Sequence, residues 1–237
     1  MSAAPVRNYY ATIKEKPEDK VDRSYAKEEE LKLKLPFRML MCAPSGKGKT
    51  NLLRHIIDEI GVWDKIILWA KDLEEPLFKD LIEKCRKAEK KYKIQMLLAI
   101  TDGKDLPNLD RDINRKENTA LICDDLITED PKSLKLLEPY WVRGRKMGVT
   151  SFFLTQGYFD VPKKIRKNSN YVVLKDIENV MDLNRIMREF ALGVKPTQMH
   201  QMYEYAMSGD KHTSFFMIDG VDPATKFRAN FQPIAVS

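Results

Sequence analysis

The chain has 237 residues, 43% of them apolar, and a formal net charge of +6, which suits one large domain, or one domain with an appendage, around an ordinary core. There is no signal peptide and no apolar stretch approaching the length of a membrane span, so a globular intracellular protein is expected. The modest charge excess supports a nucleic-acid partner only through its distribution.

In chain order, residues 14–34 carry seven cations and seven anions with few apolar positions, which predicts an exposed charged arm. Residues 1–34 are therefore set apart as an N-terminal arm from a domain over 35–237. Tyr9, Tyr10 and Ile13 could anchor that arm on a neighbouring subunit or belong to an untethered tail. From Leu35 onward strand-like and helix-like segments alternate. Strands are predicted near 37–42, 65–70, 94–100, 119–123, 150–155 and 170–174, and helices near 49–60, 75–92, 131–146 and 179–191, an α/β pattern. Runs such as Ile66–Ala70 and Ala120–Cys123 are continuously apolar. They indicate a mostly parallel sheet buried on both faces, with ligands at the strand C-termini. Near the end, Thr213–Ile218 and Lys226–Phe231 flank Asp-Gly-Val-Asp-Pro, which predicts an antiparallel pair closing one side of the sheet. Cys42, Cys85 and Cys123 are odd in number, and two of them fall in predicted core strands, which suits reduced buried thiols.

Between the first strand and the first helix lies Ala43-Pro44-Ser45-Gly46-Lys47-Gly48-Lys49-Thr50. It reads as a phosphate-binding P-loop (Walker A), with Asn51 behind it in the nucleotide-binding set. Such a loop turns several backbone N–H groups into one concavity at a helix N-terminus, where donors and helix dipole stabilise nucleotide phosphates. Lys49 would reach the outer phosphates and Thr50 would offer a hydroxyl to Mg²⁺. Ala43 stands where the pattern has its first glycine, so the loop must form without that residue's φ freedom.

Leu121-Ile122-Cys123-Asp124-Asp125 is an apolar strand ending in two carboxylates, as in the acidic strand (Walker B) that accompanies a P-loop. Asp124 is the candidate for the Mg²⁺ shell and Asp125 for orienting or deprotonating attacking water; capping of the next segment is the plainer alternative. Ser151–Gln156 is a third apolar strand with a polar end. Its Gln156 amide can donate to a phosphate and accept from water, as a γ-phosphate sensor would; a plain turn glutamine is the alternative.

Two basic clusters stand out. Residues 143–167 hold Arg143, Arg145, Lys146, Lys163, Lys164, Arg166 and Lys167 against Asp160 alone. Lys84, Arg86, Lys87, Lys90, Lys91 and Lys93 lie on a predicted helix, where a solvated face is the simpler reading. His55, His200 and His212 are too scattered to form a group and receive no function. Trp63, Trp69 and Trp141 are read as packing residues. Met199, Met202 and Met207, at helical spacing with Tyr203 and Tyr205 between them, are read as a core or subunit-contact face.

Taken together, the sequence resembles the DNA-packaging ATPases of poxviruses, other large DNA viruses and virophages, within the FtsK/HerA superfamily of ring-forming DNA pumps. The resemblance covers roughly residues 36–231. It rests on the loop at 43–50, Cys-Asp-Asp at 123–125, Gly144-Arg-Lys-Met-Gly-Val-Thr-Ser-Phe-Phe-Leu-Thr-Gln156, and Val161-Pro-Lys-Lys-Ile-Arg-Lys-Asn168. It implies an ASCE, RecA/FtsK-like P-loop NTPase core in which the strand bearing Gln156 lies between the P-loop strand and the strand bearing Asp124. It also implies a pentameric or hexameric ring in which an arginine of one subunit completes the next subunit's site. Arg145 matches the Gly-Arg motif, and Arg143 and Arg166 are the other candidates; which acts in trans, in cis or on DNA stays open.

The expected function is ATP-driven packaging of double-stranded DNA into a preformed capsid, with a capsid or packaging-vertex protein as partner. Host cytoplasm or a viral factory is the expected location, with virion association a further option. Lys163, Lys164 and Lys167, on a segment leaving the Gln156 strand, are candidate contacts to the DNA backbone. The alternatives are another FtsK/HerA-type translocase or remodelling ATPase, a phosphotransferase acting on a small acceptor, and a nucleotide-gated assembly protein with slow turnover.

Overall fold

The computed structural model describes residues 21–126, 129–190 and 194–235. In chain order its elements are α1 (Glu28–Leu31), β1 (Arg38–Cys42), α2 (Lys49–Ile60), β2 (Lys65–Ala70), α3 (Pro76–Tyr92), β3 (Leu97–Ile100), β4 (Thr119–Asp124), α4 (Pro131–Arg143), β5 (Val149–Thr155), α5 (Lys163–Asn168), β6 (Tyr171–Leu174), α6 (Val180–Phe190), α7 (Pro196–Met207), β7 (Phe216–Asp219), β8 (Phe227–Ala229) and β9 (Gln232–Pro233). The nine strands form one sheet in the order β3-β2-β4-β5-β1-β6-β7-β8-β9. Pairing is parallel from β3 through β6 and antiparallel from β6 to β9.

The continuous apolar strands are explained by two cores. Leu40, Cys42, Leu121, Cys123 and Phe153 pack on one face of the sheet, while Met39, Met41, Ala120, Ile122, Phe152 and Leu154 pack on the other. Successive residues point to opposite faces, so a strand covered on both sides is apolar at most positions, with Thr150 and Ser151 of β5 buried among them. Helix α2 buries Leu52, Leu53, Ile56, Ile57 and Ile60 and stops at Gly61, which takes a left-handed φ of 63° and donates its N–H to Ile57 O. The three cysteines are buried free thiols, with burial pushing Cys42 up to about 12 and Cys85 to about 11.

Several expectations need correction. The segment before β1 is no exposed arm over its described part: Tyr25, Leu31 and Leu33 are buried. The Tyr25 hydroxyl donates to Leu33 O at 2.7 Å, Arg228 Nη1 to Lys32 O at 3.0 Å, and Arg23 Nη1 to Glu117 O at 3.1 Å. The boundary at 34 therefore falls inside a packed strap, whereas Tyr9, Tyr10 and Ile13 lie outside the described residues. Strand β3 begins at Leu97 rather than 94, because the Glu89 carboxylate takes the N–H groups of Met96 and Leu97 at 2.8 Å each and holds the preceding turn. Helix α4 ends at Arg143 rather than 146. A 3-10 turn, Gly144–Met147, and Gly148 at φ 74° then lead into β5.

Candidate functional site

Strand β1 delivers the chain to the carboxyl edge of the sheet, where the Ala43 N–H donates to Thr155 O at 3.1 Å. Gly46 and Gly48 take left-handed φ values of 73° and 79°, while Ala43 is not among the residues with positive φ. The missing first glycine is thus no obstacle: the left-handed turns fall on the two glycines that remain. Gly48 precedes α2 with no side chain capping the helix start, so the first-turn N–H groups face the loop concavity. Lys49 Nζ folds back on the loop, donating to Ala43 O at 2.6 Å and Pro44 O at 3.3 Å. Burial pulls its pKa down, against the attraction of Asp124. Lys47 points elsewhere, pairing with Asp176 at 2.5 Å and Glu178 at 3.6 Å.

A cleft of about 380 Å³ opens over the loop. Ser45, Gly46, Gly48, Lys49, Thr50 and Asn51 form its floor, and Asp124, Asp125 and Gln156 converge on it from the ends of β4 and β5. Ala43, Pro44 and Lys47 do not line it. Burial raises the Asp124 carboxyl to about 6 even with Lys49 opposing the shift, and Asp125, Glu75 and Asp72 push it further the same way. Asp125 leaves the strand with φ 50°, and its N–H donates to Leu154 O at 3.2 Å. Gln156 Nε2 donates to Asp125 Oδ2 at 3.4 Å, while Asp125 Oδ1 is buried with no partner among the described residues. A desolvated carboxylate, an orphaned carboxylate oxygen and the Thr50 hydroxyl in one cleft are the oxygen donors that a hard divalent cation takes.

Three lining residues were not foreseen: Glu75, Leu77 and His212. Helix α3 follows a parallel strand, so its N-terminus, with Glu75 as N-cap and Pro76 as first residue, must sit at the ligand edge. Strand β7 runs antiparallel to β6, so the loop before it, with His212, starts at that same edge. Both placements could have been deduced from the predicted strand directions.

Over residues 24–221 the sequence matches the family described as Poxvirus A32 protein. The chain belongs to that family. Among solved structures it is similar to B204, the DNA-packaging ATPase from Sulfolobus Turreted Icosahedral Virus, with a TM-score of 0.56 and 12% identity over 84% of this chain and 99% of that one. The genome packaging NTPase B204 from Sulfolobus turreted icosahedral virus 2 in complex with AMPPCP gives 0.51 and 12% identity over 79% and 94%. The cytoplasmic domain of the Thermomonospora curvata Type VII secretion ATPase EccC gives 0.51 and 14% over 78% of this chain and 24% of that one. No curated protein matches the sequence. These likenesses show an α/β P-loop NTPase fold, and β5 lies between β1 and β4 as the resemblance implied.

Among the described residues, no arginine lines the cleft of this A32-family chain. Arg143 makes a two-pronged pair with Asp110 at 2.7 Å on each prong. Arg166 donates to Val161 O at 3.1 Å and Glu189 Oε1 at 2.9 Å and lies over the Tyr158 and Phe159 rings. Arg145 is exposed on the 3-10 turn that leads into β5. Its charge is felt by Arg38, the first residue of β1, which burial and Arg145 together bring down to about 10. Arg145 thus occupies the amino edge of the sheet, a strand length of roughly 20 Å from the P-loop edge. Lys163, Lys164 and Lys167 are exposed on α5, a helix packed on α4, and Lys164 pairs with Glu138 at 2.5 Å. Trp63, Trp69 and Trp141 are all buried, as are Met199, Met202 and Tyr203 on α7.

Proposed function

We propose that the chain is an ATPase that couples ATP hydrolysis to translocation of double-stranded viral DNA into a preformed capsid, working as a multisubunit ring. The observation that carries this reading is the convergence of Lys49, Thr50, Asp124, Asp125 and Gln156 from separate elements on one cleft over a P-loop. Membership of the A32 family and the fold shared with B204, whose structures include a complex with AMPPCP, support it.

In this reading the N–H groups of residues 46–50 hold the phosphate chain. Lys49 exchanges its two loop carbonyls for the outer phosphates. Thr50 and Asp124 would hold Mg²⁺, which would supply positive charge to the phosphate oxygens. Asp125 orients the attacking water or takes its proton, and Gln156, hydrogen-bonded to Asp125, links that water to the end of β5. Arg145, on the opposite sheet edge from its own cleft, would complete the cleft of the next subunit. Lys163, Lys164 and Lys167 would meet DNA phosphates without reading bases. A capsid-vertex protein would dock the ring, and packaging would take place in the host cytoplasm or a viral factory.

Steady-state phosphate release, with and without linear double-stranded DNA, tests the reading beside Lys49→Ala and Asp125→Asn. DNA should stimulate release, and both variants should lose the stimulation. A wild type that binds ATP but releases phosphate no faster than Asp125→Asn, with DNA and at concentrations where rings form, would overturn it. The fold shared with EccC keeps a second translocase role in view, and a requirement for empty capsids separates the two.

A further inference from the structure

One side of the cleft is built from a loop that none of the nucleotide motifs includes. Residues 208–215 link α7 to β7 and carry His212 to the cleft lining. The loop is stiff: Asp210 Oδ1 accepts from the N–H groups of His212 at 2.8 Å and Thr213 at 3.1 Å, and Asp210 O accepts from Ser214 N at 2.7 Å. It also presses on the P-loop. A Cβ placed on Gly48 would lie 2.5 Å from His212 O. That same carbonyl accepts from Nζ of Lys175, which is 1% exposed at the end of β6, at 2.9 Å. Burial lowers the Lys175 amine to about 8, opposed by Asp210 and Asp176. A buried amine is costly to retain unless its position is used, and its hydrogen bond here is spent on fixing one backbone atom against the P-loop.

The strand order gives this wall a direction. Asp124 and Gln156, from β4 and β5, stand on one side of β1; His212, ahead of β7, stands on the other with β6 between. A phosphate chain lying along residues 46–50 with its reacting end at the carboxylates has its other end toward His212. Both backbone polar groups of His212 are engaged, yet the residue is exposed, so its imidazole is the part left to meet a ligand. An imidazole ring stacks on any nucleobase and also offers a hydrogen bond.

We propose that His212 contacts the base and ribose end of a bound nucleoside triphosphate, and that Lys175 is the positioning residue that holds it there. This rests on the nucleotide reading above and adds the base-side contact to it. Equilibrium competition with the full chain and Mg²⁺, using ATP and inorganic triphosphate as the two probes, separates the base end from the phosphate end. His212→Ala should weaken ATP about tenfold, the scale of one lost stacking contact, while triphosphate stays within about twofold. His212→Phe, which keeps the stack, should recover most of the loss. Lys175→Met should give the same ATP-selective loss, and the double variant should be no weaker than His212→Ala alone, because both remove one contact. Equal weakening of both probes, or ATP binding by His212→Ala at wild-type strength, overturns the proposal. If Lys175→Met fails to fold, the His212 variants still decide the base contact, and ATP binding at wild-type strength by a folded Lys175→Leu chain, which has no side-chain donor for His212 O, overturns the positioning role. Wild-type protein that binds neither probe overturns the nucleotide reading itself.

Discussion

Replacing Asp124 by Asn should make the ligand-free protein more stable while removing its hydrolysis. The Asp124 carboxyl stands at about 6 in the fold against a usual 3.8, with burial as the largest cause and Lys49 already counted in its favour. A rise of that size means that the ionised group destabilises the fold by about 3 kcal/mol above both values. The sign follows from proton uptake. Between pH 3.8 and 6 the folded state holds a proton that the unfolded chain has lost, so this contribution is full below the lower value and is lost as pH rises through the upper one. Urea unfolding without metal or nucleotide should show Asp124→Asn more stable than wild type by up to about 3 kcal/mol at pH 7.5. The gap should close toward pH 4, where both side chains are neutral. A variant no more stable than wild type at pH 7.5, or a gap that does not depend on pH, would refute the claim that burial of this carboxylate governs its proton affinity.

Gly48→Ala should cost about 1–3 kcal/mol and weaken ATP, since φ 79° and the His212 carbonyl 2.5 Å from the new methyl leave no relaxed position. Ala43→Gly should instead lose about 0.4–1 kcal/mol, because no positive φ is relieved and the unfolded chain gains freedom; thermal and urea unfolding measure both. Arg228 and Asp219 form a buried ion pair, 3% and 1% exposed, so Arg228→Leu should cost about 3–5 kcal/mol. Arg228→Leu with Asp219→Leu should recover much of that in the same assay, and equal losses would count against an unpaired buried charge as the cause. Mixing Arg145→Ala with Asp125→Asn, each inactive alone, should restore hydrolysis in roughly a quarter of sites at equal ratio if arginine acts across a closed ring. Two assembling variants that never complement would place Arg145 outside the reaction.

Most of the fold was legible because its strands are unbroken apolar runs between turn residues and its helices carry one apolar stripe each. The cleft floor and its two carboxylates were legible for a different reason: a phosphate loop needs glycines, a lysine and a hydroxyl in fixed order. What escaped had no period to detect. Tyr25, Leu31 and Leu33 sit at irregular intervals among fourteen charges over residues 14–34, and their segment is held through backbone carbonyls by Arg228, far away in the chain. His212 lies in a short polar loop whose importance comes only from the strand after it. The basic run at 163–167 looked like one cationic unit, but folding gives Arg166 to Glu189 and two aromatic rings and Lys164 to Glu138.

The left-handed backbone at Asp125 bears on how the Asp125→Asn experiment is interpreted. Consecutive strand residues face opposite sides of a sheet, so two adjacent acids in a regular strand could not share one cleft; the turn in the chain at φ 50° lets them do so. Asn and Asp are the side chains that tolerate this conformation best after glycine. Asparagine therefore keeps the backbone bend, the volume and an oxygen for Gln156, and removes the charge and one acceptor oxygen. A Glu, Val or Ala at the same place would change the bend or the reach together with the chemistry, and inactivity in those variants would report on two causes at once.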